Sequence, residues 1–415
     1  MSESFESVVS ELERAGRDDL RWKTGRAFSL AYYAGPEVQR VADEAMRMYG
    51  STNGLNADAF PSLKRFQSEV VDTVRRWLRA DGDAAGFMTS GGTESIILAV
   101  KAARQQARAD RGVHSPNVVL PTTAHAAFEK ACHYFDVESR RVAVREDWRA
   151  DVDAMAAAID DQTILLVGSA PQYPQGVIDP IADLGRLAQE RAVNFHVDAC
   201  MGGVTLTFME RLGESVPPWN FDVPGVTSMS VDLHKYGYSA KGASVILYRD
   251  KRRRSFQTFV TDNWLGGLYG SSGILGTKSG GPFAAAWAVL RFLGDDGYLE
   301  LTRQARGAAL RLADEVERIP DLVLRARPDS TLLAIGSALD PASGRPVLDV
   351  NAVAQRLWAD GWYVDRQGPP PSLHCTVNAV HESMIDEFVA ALRSAVDDVR
   401  QSGLTGERGA YGTVD

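Results

Sequence analysis

From Phe87 onward, short apolar runs alternate with amphipathic stretches, and few folds accommodate that order. Phe87-Met88-Thr89 reads as a strand, Ser90-Gly91-Gly92-Thr93 as a glycine-rich turn, and the run from Glu94 as a helix. Strands are then expected at 118–120, 141–144, 163–168 and 193–198, with helices at 151–159 and 181–191 between them. Strands joined by crossover helices lie parallel in one sheet, and such sheets bind ligands at the carboxyl ends of their strands. The expected fold class is therefore α/β, with a mostly parallel central sheet.

The flanking segments read differently. Residues 1–20 form a polar arm or helix. Residues 37–49 have helical spacing, with Val38, Val41, Ala45 and Met48 on one face. A turn-rich loop at 50–61 precedes a helix at 62–79 with Leu63, Phe66, Val70, Val74, Trp77 and Leu78 inward. A helix is expected at 283–293. Beyond it the order changes to helices at 299–319, 350–360 and 383–400 and strands at 322–325, 331–335, 362–364 and 373–377, a smaller α+β unit. The expected division is 1–60 as an N-terminal segment, 61–296 as a large α/β domain, 297–402 as a small C-terminal α+β domain, and 403–415 as a glycine-rich tail.

Composition excludes several function classes. The chain has 415 residues, 45% of them hydrophobic, and a formal net charge of −9, which argues against a nucleic-acid partner. The basic run Lys251-Arg252-Arg253-Arg254 reads as a solvated loop. Cys132, Cys200 and Cys375 show neither a metal-ligand spacing nor a disulfide framework, so no metal is expected and a reducing, cytoplasmic setting fits. The polar N-terminus lacks a signal-peptide pattern, and no stretch reads as an integral membrane span.

Four places carry candidate chemistry. The Ser90–Thr93 turn opens a helix, whose free N–H groups and dipole suit a phosphate; a plain capped helix start is the alternative. His125 follows a strand and suits stacking on a ring, although lone histidines are commonly structural. Asp198 ends a strand, where it suits a pyridine nitrogen, a magnesium ion or a cap on the next turn. His234-Lys235 lies in the loop 230–242 between two buried strands, at 226–229 and 243–248. A lysine there suits a Schiff base with pyridoxal phosphate (PLP), which needs an amine that burial and nearby positive charge keep partly neutral.

In that order, these features resemble the PLP-dependent fold type I enzymes of the group II decarboxylase superfamily. The similarity within it is greatest to the sphingosine-1-phosphate lyase family, in a soluble, prokaryotic-type form. The stretches that carry it are 89–95, 124–128, 171–179, 196–200, 225–248 and 264–281, with Gly409-Ala410-Tyr411-Gly412 in the tail. The resemblance implies that Lys235 is the Schiff-base lysine and that Gly92, Thr93 and His234 hold the cofactor phosphate. It implies that His125 stacks on the ring, that Asp198 pairs with its nitrogen, and that Thr277 reaches the phosphate from a partner subunit of a homodimer. Tyr33, Asn56 and Lys241 would bind the substrate phosphate, and Tyr238 would lie near the reacting carbons. The implied reaction is retro-aldol cleavage of a phosphorylated long-chain amino alcohol, a small-molecule substrate, to an aldehyde and phosphoethanolamine. Departures stand at Asn56 and Gln175, where the family has histidines, at Leu233 for a threonine, and at Lys278-Ser279 for Arg-Pro. They leave amino-acid decarboxylation, or a different amino alcohol, as the alternative.

Overall fold

The computed structural model describes residues 2–56 and 58–409. Helix α1 (Phe5–Ala15) is capped by Ser4 and buries none of its residues. Helix α2 (Pro36–Tyr49) and α3 (Pro61–Trp77) each begin with a proline, whose fixed φ suits a first helical position and whose missing N–H costs nothing there. In α3 the expected apolar face is the buried one. In α2 the buried residues are Val38, Ala42 and Ala45, while Met48 is 61% exposed and faces an open groove.

The alternation then unfolds as β1 (Ala85–Thr89), α4 (Gly92–Arg111), β2 (Asn117–Pro121), α5 (Ala127–Phe135), β3 (Glu138–Val142), α6 (Val152–Ala158) and β4 (Thr163–Ser169). It continues with α7 (Ile181–Glu190), β5 (Asn194–Asp198), α8 (Gly202–Arg211), β6 (Ser228–Asp232) and β7 (Ser244–Tyr248). These strands form one seven-stranded sheet in the order β1-β7-β6-β5-β4-β2-β3. β3, β2, β4, β5 and β6 run parallel, and β7 is antiparallel to both β6 and β1. β2, β4, β6 and β7 are buried at every position, as expected of strands covered on both faces.

Three local expectations fail between β6 and Gly281. β6 extends to Asp232, so Ser230-Val231-Asp232 are strand rather than loop. The basic run forms a short helix, α9 (Lys251–Ser255), capped by Asp250 and tied down by the ion pairs Arg252–Asp110 and Arg253–Asp250. The glycine-rich stretch contains a hairpin, β8 (Phe259–Thr261) and β9 (Tyr269–Ser271), with Leu265 and Leu268 at its tip exposed.

Helix α10 (Gly281–Val316) joins the helices expected at 283–293 and 299–319. It kinks at Gly294, whose φ of 56° is a left-handed conformation that glycine adopts without a Cβ penalty. Beyond it come β10 (Leu322–Leu324), β11 (Leu332–Ser337), α11 (Val350–Ala359), β12 (Asp365–Gln367), β13 (Ser372–Thr376) and α12 (Ile385–Ser402). The four strands pair antiparallel in the order β10-β11-β13-β12. The strand expected at 362–364 is not one; it contributes a single bridge, Ala27 to Tyr363, and the strand begins after it at Asp365. Phe28, brought in beside that bridge, is fully buried among Trp362, His381 and Phe388. The N-terminal segment is thus anchored in the second core. In the tail, Gly406 donates to Asp349 and the Glu407 carbonyl accepts from Arg366, which lays residues 403–409 along the small sheet. Gly409 is the last described residue, and Ala410-Tyr411-Gly412 lie outside the described residues. No described helix is long and apolar enough to cross a membrane.

Candidate active site

At the carboxyl ends of β1, β5 and β6, a cavity of about 440 Å³ brings together Gly92, Thr93, His125, Asp198, His234 and Lys235. Three devices put them there. β1 ends at Thr89, and the turn delivers α4 with Gly91 as N-cap and no side chain capping its first N–H groups. β5 ends on Asp198, whose Oδ1 accepts from the Cys200 N–H at 3.0 Å and the Ser230 hydroxyl at 3.2 Å. β6 ends on Asp232, and the following tight turn, 233–238, swings His234 and Lys235 back over the sheet edge.

The side chains are held in defined protonation states. Burial pushes the His125 imidazole below its ordinary value, although the Asp198 carboxylate pulls the other way. Its Nδ1 accepts from the Ala127 N–H at 3.0 Å, so the neutral ring carries its proton on Nε2. Lys235 Nζ lies 2.8 Å from Asp232 Oδ2, and Asp232 is 2% exposed. Burial opposes charge on both groups. For Lys235 the Asp232 carboxylate outweighs it and raises the amine above the usual lysine range. For Asp232, Lys235 and His234 outweigh it and hold the carboxyl at about 2. Asp232 thus offsets the burial that by itself would keep the amine partly neutral. Asp232 was missed in the sequence because it reads as a polar member of a loop. Only the extension of β6 brings it beside the amine.

The residues fit PLP. A phosphate needs donors and backbone that approaches closely. The first turn of α4 offers uncapped N–H groups. His234 Nδ1 is buried without a hydrogen-bond partner among the described residues, and its ring lies beside Gly91, where an added Cβ would stand 3.5 Å from His234 Cε1. At Gly92 a Cβ would meet Cys200 Sγ at 2.6 Å and the Asp232 carboxylate at 2.9 Å, so this position has no room for a side chain. Glu94, also unforeseen, is 7% exposed. Its carboxylate accepts from the Ser90 N–H and hydroxyl at 2.7 Å and from the Ile274 N–H at 2.7 Å. It locks the turn to the segment that follows the hairpin.

Other expected residues lie elsewhere. Lys241 does not line the cavity; its Nζ lies 5.1 Å from the Tyr32 ring centre and donates to the His234 carbonyl at 3.3 Å. The surrounding protein and the Lys235 charge push its amine down to about 8, although the side chain reaches solvent. Tyr238 is buried, with a left-handed φ of 53°, and its hydroxyl accepts from the Ala379 N–H at 3.4 Å. Burial pushes its phenol upward, and it does not line the cavity. Asn56 is exposed, and its Oδ1 accepts from the N–H groups of Asp58 and Ala59. Thr277 is exposed as well. The segments carrying these two are stapled together by Gly54 N–H to the Lys278 carbonyl at 2.8 Å and Ser279 hydroxyl to the Gly50 carbonyl at 2.8 Å. Tyr33 lines a different cleft with Lys23 and Arg40. Gln175 is buried against Gln172, and Lys278 lies over the Phe87 and Phe283 rings at 4.3 and 5.1 Å.

Comparison with known proteins bears on this cavity. The profile of the pyridoxal-dependent decarboxylase conserved domain matches residues 3–334. The sphingosine-1-phosphate lyase of Arabidopsis thaliana is 39% identical over 401 residues, which covers 95% of this chain and 72% of that protein. That of Rattus norvegicus is 37% identical, covering 96% of this chain and 69% of its own. Among solved structures, the sphingosine-1-phosphate lyase of Burkholderia pseudomallei superposes with a TM-score of 0.91 at 35% identity, over 97% of this chain and 92% of that one. Glutamate decarboxylase of Lactobacillus brevis, at 22% identity and a TM-score of 0.84, shares the fold.

Proposed function

The chain belongs to the sphingosine-1-phosphate lyases of the pyridoxal-dependent decarboxylase family, a PLP-dependent lyase, and from that premise we propose that it cleaves a phosphorylated long-chain 2-amino-3-hydroxy compound to an aldehyde and phosphoethanolamine. The observation that carries this reading is the half-buried Lys235 amine in a cavity shared with Asp198, His125 and an uncapped glycine turn.

Lys235 would hold the cofactor through its amine, and Gly92, Thr93 and His234 would take its phosphate. Asp198, already oriented by Cys200 and Ser230, would keep a pyridine nitrogen protonated, and His125 would cover the ring. PLP supplies an electron sink for the pair released when the bond between the two substituted carbons breaks. The protein supplies position: the Lys241 ammonium beside His234 attracts the substrate phosphate, and the cavity walls shield the reacting carbons from water. Tyr238 is the candidate for a role close to those carbons; its buried hydroxyl would need to exchange its bond to Ala379 for one to substrate.

A homodimer with shared sites completes the reading. Tyr33, Asn56 and Thr277 sit apart from the cavity of their own chain, which suits residues that serve the site of a second copy. An apolar groove of about 920 Å³ lined by Val41, Met48, Tyr49, Phe66 and Trp287, and the exposed Leu265–Leu268 hairpin tip, supply surface for that contact. Three buried, unpaired cysteines support a cytoplasmic setting.

The test is product analysis. PLP-loaded protein is incubated separately with a phosphorylated long-chain amino alcohol and with a panel of amino acids. An aldehyde and phosphoethanolamine from the first are expected. Carbon dioxide and an amine from an amino acid, with no cleavage of the amino alcohol, would replace this reading with a decarboxylase.

A further inference from the structure

Asp232 has no part in that assignment, yet it makes the closest polar contact of the Lys235 amine. Its Oδ2 stands 2.8 Å from Lys235 Nζ, and its Oδ1 accepts from the Ser244 hydroxyl at 2.5 Å. Ser244 opens β7, so two neighbouring strands fix the carboxylate. His234 Nε2 is 3.8 Å from the same Oδ2. The other charged or titratable groups facing Lys235 are Asp198 and Cys200 at the end of β5, His125 after β2, and Tyr236 and Lys241 on its own loop; burial pushes the Tyr236 phenol upward, so it stays neutral. Asp198 is engaged by Cys200 and Ser230, and burial pushes the Cys200 thiol well above its ordinary value, so it stays neutral. Asp232 is therefore the counter-charge of the amine.

A carboxylate this deep is costly unless paired, and an ammonium has no lone pair with which to attack a carbonyl. The ion pair therefore both stabilises the floor of the cavity and blocks the lysine's own reaction. We propose that Asp232 is a positioning residue that docks Lys235. It holds the amine as an ammonium whenever the amine is not covalently engaged, so that Lys235 must leave this ion pair and give up a proton to solvent before it bonds to a carbonyl carbon. The step balances. A nitrogen–carbon bond forms as the carbon–oxygen double bond breaks. Of the three ammonium hydrogens, one stays on nitrogen, and two leave with the oxygen as water, the first by way of solvent. No oxidant or reductant enters. This inference rests on the assignment of Lys235 as the cofactor-bearing residue.

The experiment reads the amine directly, without substrate. Full-length protein freed of PLP is labelled with acetic anhydride across a pH series, and acetylation of Lys235, Lys241 and exposed lysines is quantified by mass spectrometry. In the wild type, Lys235 is expected to acquire reactivity at a higher pH than the exposed lysines, and Lys241 at a lower one. In Asp232→Asn the Lys235 curve is expected to move down by about one pH unit or more. The rate of covalent PLP attachment, trapped with borohydride and located by mass spectrometry, should move with it. Ser244→Ala, which only loosens the carboxylate, should give a smaller shift in the same direction. Should Asp232→Asn fail to fold, the wild-type and Ser244→Ala curves still decide. A wild-type Lys235 that labels at or below the pH of exposed lysines, or an Asp232→Asn curve that overlies the wild type, overturns the proposal and leaves the lyase reading intact. Borohydride-trapped PLP on another lysine overturns both.

Discussion

Lys235 and Lys241 stand on the same loop, but their amines are driven in opposite directions. Lys235 meets a buried carboxylate and is raised; Lys241 meets protein bulk and another cation and falls to about 8. The contrast extends to the two regions around them. The floor of the cavity is formed within one chain: Gly92, His125, Asp198, Asp232, His234 and Lys235 all face it. The mouth differs. Of the residues expected to hold the substrate phosphate, Asn56 is exposed and Tyr33 opens on another cleft. The floor is built from strand ends, whose positions the sheet's hydrogen bonds dictate. The mouth is built from loops, which can be assigned to a neighbour's site without disturbing the sheet. The residues at the strand ends are thus tied to the fold, and those on the loops are not.

The sharpest way to break this comparison is at the floor. Lys235→Ala should lose covalent PLP and on the order of 10³-fold or more in kcat/KM together, as expected when a covalent group is removed. A variant that keeps its activity would end the assignment. The next test concerns the mouth. Lys235→Ala and Tyr33→Ala proteins, each inactive alone, should regain about a quarter of wild-type activity when subunits are exchanged by mixing, because half the dimers then hold one intact site. No recovery after demonstrated exchange would put the mouth and floor in one chain. Gly92→Ala should fold but bind PLP at least ~10-fold more weakly, since the new methyl meets Cys200 and Asp232; equilibrium titration with PLP checks it.

The smallest effects are expected at Lys241 and Asn56. Lys241 is charged below a pKa of about 8 and neutral above it, so its attraction for a substrate phosphate is present at low pH and lost as pH rises through that value. KM for the phosphorylated substrate should therefore rise above about pH 8 while kcat changes less. Asn56→His should lower KM by about threefold near neutral pH, by adding a partly charged donor where Asn56 offers none. An unchanged KM would mean that this loop does not reach the phosphate.

Much of this architecture was legible beforehand because it is periodic. Alternating strands and helices, the Ser90–Thr93 turn before α4 and the apolar face of α3 are local patterns, and the chain's own hydrogen bonding and burial enforce them. Asp198 was legible for the same reason: a polar residue that closes a buried strand stands at its end. Asp232 was not, because Ser230-Val231-Asp232 alternates polar and apolar and could equally have begun a loop. Glu94 was read as part of a helix start, and nothing local revealed that it would reach Ile274. Met48 has the spacing of a core residue and faces a groove instead, which periodicity within one helix cannot distinguish.

The sequence by itself determined the fold class, the family and the identity of the lysine, aspartate and histidine at the floor, because these follow from local pattern and from motifs contiguous in the chain. The tertiary structure alone decided that Lys235 lies 2.8 Å from Asp232, that Lys241 lies beside Tyr32, and that Tyr33, Asn56 and Thr277 stand outside their own chain's cavity. The physical reason is that protonation state and the membership of a cavity depend on which distant groups come within a few ångströms. Sheet register and loop placement set those distances, not sequence neighbours.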